Sequence, residues 1–301
     1  MRAGGAILAV LLLAAVAGCS PRAYLVRKAA DAAASGGGTF AADDDPELVK
    51  AAVPFALKAQ ESLLSAAPRH RGLLLSLCRG FTQYAAAFVL QDAVESSDPA
   101  AARAGKERAV RLLLRARDYG MRGLDAAHPG LPARLHEDAA GAARMAGEED
   151  VPLLYWTAAS WTLAIASSPG EPALLADLPR CEALMRRALA LREDFDAGAI
   201  HEYFVAFEGG RPEAMGGSAE RARRHFERAM ALSAGKRASP LVTMAETVSV
   251  RAQDRREFLD LLDRALAFDA RGAAPEYRQA NLAAQRRALW LKGRVDELFL
   301  E

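Results

Sequence analysis

Apolar residues recur at spacings of three and four through nearly the whole chain, and no run alternates strictly between apolar and polar positions. The first pattern places apolar side chains on one face of an α-helix, whereas strict alternation would indicate a β-strand. We therefore predict an all-α fold. The expected helices cover residues 46–67, 70–92, 100–127, 151–167, 172–192, 197–208, 218–233, 240–251, 254–269 and 275–298, and a short helix between loops is expected within 130–149.

Several expected helix starts carry a capping residue followed by proline. A short polar side chain accepts hydrogen bonds from the free amides of the first turn, and proline suits the first helical position because it has no amide hydrogen. Asp45-Pro46 has this form, and Asp98-Pro99, Ser239-Pro240 and, less cleanly, Glu171-Pro172 repeat it. Ser218 is also predicted to cap the helix that follows it.

Alternate helices share an internal motif, in which a small residue is followed by a large one four positions later and by alanine three positions after that. Its copies are Ala59/Leu63/Ala66, Gly120/Leu124/Ala127, Cys181/Met185/Ala188, Ala222/Phe226/Ala229 and, without the small residue, Phe258/Leu262/Ala265. The motif resembles the second helix of a tetratricopeptide repeat, and its spacing exceeds the roughly 34 residues of a plain array. We expect stacked antiparallel helix hairpins in a degenerate tetratricopeptide-like bundle or solenoid, with the extra residues in loops on one face.

The N-terminus has the pattern of a lipoprotein signal peptide. Arg2 precedes the apolar run AILAVLLLAAVA, which is too short to span a bilayer but suits a signal-peptide core. Val16-Ala17-Gly18-Cys19 resembles a bacterial lipobox, in which the cysteine thiol receives the lipid. We expect a signal peptide over 1–18, lipidated Cys19 and a tether over 19–45, and the helical domain over 46–301. Ser20 after the cysteine favours the outer membrane, with the lipid as the membrane anchor.

The charge balance and the cysteines narrow the class further. The chain has 39 Lys+Arg against 38 Asp+Glu, interspersed, which gives no support to nucleic-acid binding or to electrostatic membrane attachment. Cys78 and Cys181 lie in apolar helical patterns, so buried free thiols are favoured, and a disulfide in an oxidising periplasm is the alternative. Two separated cysteines make no metal signature.

Two stretches that begin like catalytic motifs lack the residues that complete them. His201-Glu202 opens like a helical zinc-protease motif, but Val205 occupies the position of the second histidine. Gly216-Gly217 is followed by Ser218 without the lysine of a phosphate-binding loop. His201 and Glu202 are therefore interpreted as a structural pair. We predict a protein that is not an enzyme, with no catalytic residues, metal or cofactor.

Six stretches together resemble the T component of TRAP (tripartite ATP-independent periplasmic) transporters: FAADDDPELVKAAVPFALKAQESLL, GFTQYAAAFV, RARDYGMRGLDAAHPG, VPLLYWTAASW, AIHEYF and RPEAMGGSAERARRHFERAMALS. They occur in order over nearly the whole chain after the lipobox. The resemblance implies a bacterial lipoprotein with a helical, tetratricopeptide-like fold and no chemistry of its own. It also implies association with a P-type periplasmic solute-binding protein, and a homo-oligomer with a pore or cavity suited to hydrophobic ligands.

Aromatic residues concentrate in the first helices of the expected hairpins, where a core role is the commoner one. Tyr155 and Trp156 are adjacent, so they diverge by about 100° around a helix. A helix with aromatics on more than one face is either buried on both sides or lines a cavity. For a hydrophobic small molecule, the preferred wall residues are Trp156 and Trp161, followed by Phe81, Tyr84, Tyr203 and Phe207.

A second function class stays open from the sequence. A tetratricopeptide-like lipoprotein could scaffold envelope assembly by gripping protein partners. It would present an exposed concave groove, whereas the transport function requires an enclosed apolar cavity.

Overall fold

The computed structural model describes residues 21–272 and 274–300, so the expected signal peptide and Cys19 lie outside the described residues. The protein is 79% helical, and the described residues contain no strand, which confirms the all-α prediction. The helices are α1 Pro21–Ser35, α2 Gly38–Ala42, α3 Pro46–Ala66, α4 Arg71–Tyr84, α5 Gln91–Glu95, α6 Pro99–Ala127, α7 Leu131–Glu137, α8 Ala139–Ala143, α9 Val151–Ala166, α10 Pro172–Leu175, α11 Leu178–Leu191, α12 Ala199–Gly209, α13 Ala219–Ser233, α14 Ser239–Met244, α15 Arg255–Leu266, α16 Arg278–Lys292 and α17 Val295–Leu298.

Helix boundaries follow the predicted pattern closely, with local exceptions. A π-helical stretch, Ala85–Leu90, joins α4 to α5, and a second one, Ala245–Ser249, follows α14. The helix expected over 172–192 is divided into α10 and α11, and Pro179 stands in the first turn of α11, where a missing amide hydrogen breaks no helical bond. The segment 130–149 holds two short helices, α7 and α8, rather than one.

Most of the predicted caps are confirmed. Asp45 accepts hydrogen bonds from the amides of Glu47 and Leu48, and Asp98 accepts one from Ala100 at 2.9 Å. The Ser218 hydroxyl oxygen accepts from the Arg221 amide at 3.2 Å. The prediction was wrong at Ser239-Pro240 and Glu171-Pro172, where no side chain caps the helix. The Ser239 hydroxyl instead donates to Glu202 of another helix, because a tertiary acceptor competes with the local amides.

Neighbouring helices in the chain pack against one another as a stack of hairpins. Helix α6 packs on α4 and α9, α9 on α11, α12 on α13 and α14, and α15 on α14 and α16. Three large apolar clusters follow one another along the stack. The first cluster draws its buried residues from 30–116, the central cluster from 124–207 and the last cluster from 205–299.

Asp150, which is completely buried, fixes the start of α9. Its carboxylate accepts from the Gly147 amide at 2.8 Å, contacts His128 Nε2 at 2.6 Å and pairs with the Arg71 guanidinium at the start of α4. A buried carboxylate is stable only when its oxygens are paired and hydrogen-bonded in this way. The contact holds the start of α9, which carries three of the aromatics considered below, Tyr155, Trp156 and Trp161.

Within the tether expected over 19–45, residues 21–42 form α1 and α2, and α1 packs on the helical body. Ala30 of α1 is fully buried in the first cluster. The Gln60 side chain donates to the Ala33 carbonyl at 3.0 Å, and His70 Nε2 contacts Asp31 Oδ1 at 3.0 Å. The small side chains of this segment suited a flexible linker in composition, but they also let α1 lie close to α4.

The last long helix, α16, meets the beginning of the chain through polar contacts that we call the seam. Arg278 donates to the Ala42 carbonyl at 2.6 Å, and Arg286 pairs with Asp92 at 2.8 Å and with Glu95. Lys50 of α3 also pairs with Asp92, at 2.7 Å. Among the described residues, no apolar cluster contains buried side chains from both sides of the seam. The stack is therefore closed end to end by charge and hydrogen bonding.

Candidate functional site

The six aromatics predicted to line a ligand cavity do not form one wall. Phe81 and Tyr84 lie in the first cluster, whereas Trp161 and Phe207 lie in the central cluster. All four are buried by protein. These four side chains therefore pack inside the protein. They form two separate groups, one in the first cluster and one in the central cluster.

The buried candidates have specific protein partners. Phe81 stacks on Tyr119 with ring centroids 5.9 Å apart. Trp161 Nε1 donates to Asp177 Oδ2 at 3.2 Å. The Arg211 guanidinium lies 3.7 Å above the centroid of Phe207, a cation–π contact that covers one face of the ring. These contacts leave little of the three rings for a ligand.

Trp156 and Tyr203 are only half-buried. Tyr203 stacks on Phe207 at 5.5 Å, and its hydroxyl shares a hydrogen bond of 2.7 Å with Thr162. Trp156 stands edge-on to Tyr155 at 5.0 Å and belongs to none of the three apolar clusters. Tyr155 in turn packs against Phe195 at 5.2 Å. Of the predicted wall residues, Trp156 is therefore the one whose ring is least occupied by the core.

Next to Tyr155 lies a group of polar residues that the sequence did not predict. We call Tyr155, Asp196, Glu202, Arg237 and Tyr277 the Arg237 cluster. Arg237 donates from Nη1 to the Asp196 carbonyl at 2.7 Å and from Nη2 to the Glu202 carboxylate at 2.6 Å. The Tyr277 hydroxyl donates to the Asp196 carboxylate at 3.0 Å. The stretch 196–202 and Tyr277 thus contact one guanidinium, and Tyr155 lies beside them through its contact with Phe195.

The Glu202 carboxylate is well supplied with donors. Besides Arg237, the Ser239 hydroxyl donates to it at 2.9 Å and the Thr243 hydroxyl at 3.3 Å. By contrast, Arg237 Nε is buried and has no hydrogen-bond partner among the described residues. The Arg237 side chain is 11% exposed, so bulk water reaches it poorly.

The Tyr155 phenol is the second group of the cluster without a hydrogen bond to the described protein. Burial raises the pKa of Tyr155 above its ordinary value, and the charged groups that influence this pKa are Arg237, Glu202 and Asp196. The phenol therefore stays protonated, and it can either donate or accept a hydrogen bond.

A strained turn presents Asp196 to the cluster. Asp196, Ala197 and Gly198 have φ angles of 48°, 51° and 87°, three consecutive residues in the left-handed region. A left-handed conformation costs an L-residue about 1–2 kcal/mol, so the surroundings must hold it. Arg237 and Tyr277 do so by binding the carbonyl and the carboxylate of Asp196. Gly198 is required here, since a β-carbon would lie 3.1 Å from the Ala229 carbonyl oxygen.

His201 and Glu202 do not contact each other, because adjacent residues point about 100° apart around a helix, and each has its own partner within the protein. His201 Nδ1 lies 2.8 Å from Nδ1 of His225, and its Nε2 lies 3.2 Å from Glu193 Oε1. Burial lowers the pKa of His201. Burial and the neighbouring His201 lower the pKa of His225 to about 4, so both rings are neutral at pH 7.

The described residues offer no obvious reactive group. Cys78 and Cys181 are free and buried, and burial raises the pKa of each thiol to about 12, so neither is a thiolate nucleophile. In the described part of the chain, no group of three His, Cys, Asp or Glu side chains could hold a metal ion. The chemistry that the Arg237 cluster can perform is hydrogen bonding.

One described helix, Arg71–Glu95, is long and apolar enough to cross a membrane. Within it, 56% of the most apolar stretch is buried inside the protein. The same composition is found in core helices of folded domains. Seven of its buried residues belong to the first cluster: Leu73, Leu74, Leu77, Phe81, Tyr84, Phe88 and Val89.

Two comparisons with known proteins match this chain over most of its length. The family model described as TRAP transporter T-component matches residues 42–299, from the end of α2 through α17. A protein of Treponema pallidum (strain Nichols), named only as uncharacterized, is 31% identical over 277 residues, which cover 87% of this chain and 83% of that protein. The family match includes every segment that contributes to the Arg237 cluster and to the seam.

Proposed function

Because the chain belongs to the TRAP transporter T-component family, and is thus an accessory component of such a transporter, we propose that it is a non-enzymatic lipoprotein of a periplasmic uptake system. It binds a P-type solute-binding protein and holds or conducts an apolar or amphipathic small molecule. The observation that carries the proposal is the family match over residues 42–299, which covers every helix from α3 to α17.

The closed stack supports a ligand-holding function over a protein scaffold. A scaffold of the tetratricopeptide type grips its partners in an open concave groove. Here the seam joins α16 to α2 and α5, so the two ends of the stack contact each other. The half-buried Trp156, outside the three apolar clusters, supplies an aromatic surface for an apolar ligand. Burial of about 25 cal/mol per Å² of apolar ligand surface would retain it without a charged clamp.

Membrane attachment in this proposal is through lipid on Cys19, with the outer membrane as the favoured site. Helix α1 begins at Pro21, two residues after the lipidated cysteine, and packs on α4. Two residues span at most about 7 Å, so the helical body would lie against the bilayer rather than on a long tether. A small molecule held by this protein would therefore stay close to the membrane surface.

The proposal is tested by purifying the tagged chain from its own cells and identifying what accompanies it. We expect a P-type solute-binding protein by proteomics, a lipid-like molecule by mass spectrometry of organic extracts, and a homo-oligomer by sedimentation. Trp156→Ala should reduce the extracted molecule. The matched control is Trp290→Ala, because Trp290 lies on α16 between the guanidinium groups of Arg287 and Arg294.

The opposite result would favour the scaffold. Recovery of outer-membrane assembly proteins, with neither a solute-binding protein nor a bound organic molecule, would contradict the transport proposal.

A further inference from the structure

The Arg237 cluster contains two hydrogen-bonding groups that the described protein leaves unused. Arg237 Nε–H is a buried donor without an acceptor, and the Tyr155 hydroxyl has no hydrogen bond to the described residues. Buried polar groups of native proteins are almost always hydrogen-bonded, and leaving one unpaired is costly. The buried Arg237 Nε–H therefore marks a place for an acceptor oxygen that does not belong to the described chain. The half-buried Tyr155 hydroxyl is a second hydrogen-bonding group of the same cluster that remains free to bind a ligand.

The charges of the cluster decide what kind of oxygen fits there. One guanidinium stands against two carboxylates, so the formal net charge is −1. Arg237 is already paired with Glu202 at 2.6 Å, and Asp196 Oδ2 lies 4.0 Å from it. A carboxylate or phosphate would be repelled by Glu202, whose side chain is 15% exposed and poorly screened by water, and less strongly by Asp196, which is 36% exposed. A neutral oxygen, by contrast, can accept from Arg237 Nε without that repulsion.

The apolar surface next to these two groups favours a ligand that carries a hydrocarbon chain. The Tyr155 ring contacts Trp156 and Phe195, so one side of the residue is aromatic and its hydroxyl end is polar. An amphipathic molecule can place its chain against the rings and its head at the guanidinium. A water molecule alone would form the hydrogen bonds to the polar atoms, but it would leave the half-buried Trp156 ring without an apolar partner.

We propose that the Arg237 cluster binds the uncharged, oxygen-bearing head of an amphipathic molecule, such as an alcohol, ester or amide, whose chain lies against Tyr155 and Trp156. This assignment rests on the proposed function and narrows its ligand class, because it excludes fatty acids and phosphorylated lipids as preferred ligands. Tyr155 and Arg237 form the hydrogen bonds to the head. The carboxylates of Glu202 and Asp196 repel a ligand whose head is an anion.

The test compares two probes that share a chain and differ in their head. The purified chain is titrated with 1-decanol and with decanoate at pH 8, followed by tryptophan fluorescence. We expect decanol to bind roughly ten-fold more tightly, a difference of about 1.4 kcal/mol. Tyr155→Phe should weaken decanol binding by about three- to ten-fold through the loss of one hydrogen bond. Glu202→Gln should strengthen decanoate binding and narrow the gap between the probes.

The control is Tyr119→Phe, which removes a hydroxyl that is bonded to Glu61 far from the cluster, and which should change neither affinity. Decanoate binding as tightly as decanol, or a Tyr155→Phe protein with unchanged decanol affinity, would overturn the assignment of the head group and leave the proposed function standing. Failure of both probes to bind the wild-type chain would overturn this assignment together with the ligand-holding part of the proposed function.

Discussion

Gly120 of α6 faces Thr157 of α9 so closely that a β-carbon at position 120 would lie 2.0 Å from the Thr157 hydroxyl oxygen and 3.0 Å from Cys78 Sγ. Helices α4, α6 and α9 therefore meet at a point where only hydrogen fits. The sequence motif with a small residue at this position has its physical basis in this contact.

Gly120→Ala should lower the free energy of unfolding by about 1–3 kcal/mol, because the added methyl group overpacks a rigid three-helix contact. Urea denaturation followed by circular dichroism measures this change. The matched control is Gly38→Ala, since a β-carbon there meets no atom within 4 Å and Gly38 begins a helix. Equal stability of the two variants would show that α6 can shift to accept the methyl group.

The histidine pair predicts a pH dependence of stability. The folded protein holds His225 at a pKa of about 4 and lowers that of His201, against an ordinary value near 6.5 in the unfolded chain. As the pH falls below 6.5, the unfolded chain takes up protons first, so the stability present above 6.5 is progressively lost towards pH 4. We expect a loss on the order of 1–2 kcal/mol between pH 7 and pH 4.5 from this pair.

His225→Gln should remove much of this loss, and thermal unfolding across the same pH range measures it. His136→Gln serves as the control, because His136 is exposed on α7 and lies outside the pair. If wild type and His225→Gln lose stability in parallel from pH 7 to 4.5, the pair is not the source.

Removal of the seam arginine should loosen the ends of the stack and leave its clusters intact. Arg286→Ala breaks the contacts with Asp92 and Glu95, which are partly exposed and so contribute only about 0–1 kcal/mol each. We expect faster amide hydrogen exchange in α2 and α16, a further increase with added salt, and little change in the melting temperature.

The control for the seam is Arg264→Ala, which breaks an exposed pair with Asp260 within α15 and should leave exchange in α2 unchanged. If amide hydrogen exchange in α2 changes neither with Arg286→Ala nor with added salt, other contacts hold the seam together.

Cys19→Ala should abolish lipid attachment, because the lipobox resemblance makes this thiol the acceptor. Incorporation of radiolabelled palmitate measures attachment in cells. Cys181→Ala is the matched variant, since Cys181 is buried in the central cluster and should leave labelling unchanged. Label in the Cys19→Ala protein equal to that in wild type would contradict the anchor.

Local signals in the sequence were sufficient for most of the architecture. Apolar periodicity located the long helices, and Asp45 and Asp98 marked their starts because a cap involves only neighbouring residues. Ser239 misled the prediction because its hydroxyl bonds to a carboxylate 37 residues away. The packing of α1, within the tether expected over 19–45, on α4 was not foreseen for a similar reason, since composition does not show which helix a small side chain will contact.

The candidate site was much less accessible to sequence reasoning. Trp156 was singled out because adjacent aromatics on a helix cannot share one direction, and its role as a ligand-binding residue stays a prediction. Arg237 was missed because it lies in a short polar stretch between helices, where an arginine is usually exposed. Its partners Asp196 and Tyr277 lie 41 and 40 positions away and carry no motif that joins them. One signal was available in principle: Gly198 after Asp196-Ala197 is typical of a left-handed turn.

The order of the three clusters along the chain has a consequence for how the protein is made. Each cluster is built almost entirely from a continuous stretch of sequence, so it can form as soon as that stretch has emerged, with little loop-closure entropy. The seam joins residues 236 positions apart, so it can form only after α16 has been synthesised. We therefore expect closure to come late in folding. A chain that ends before Arg278 would keep the first and central clusters, but it would lack the seam and the residues Ala284, Ala288 and Leu291 of the last cluster.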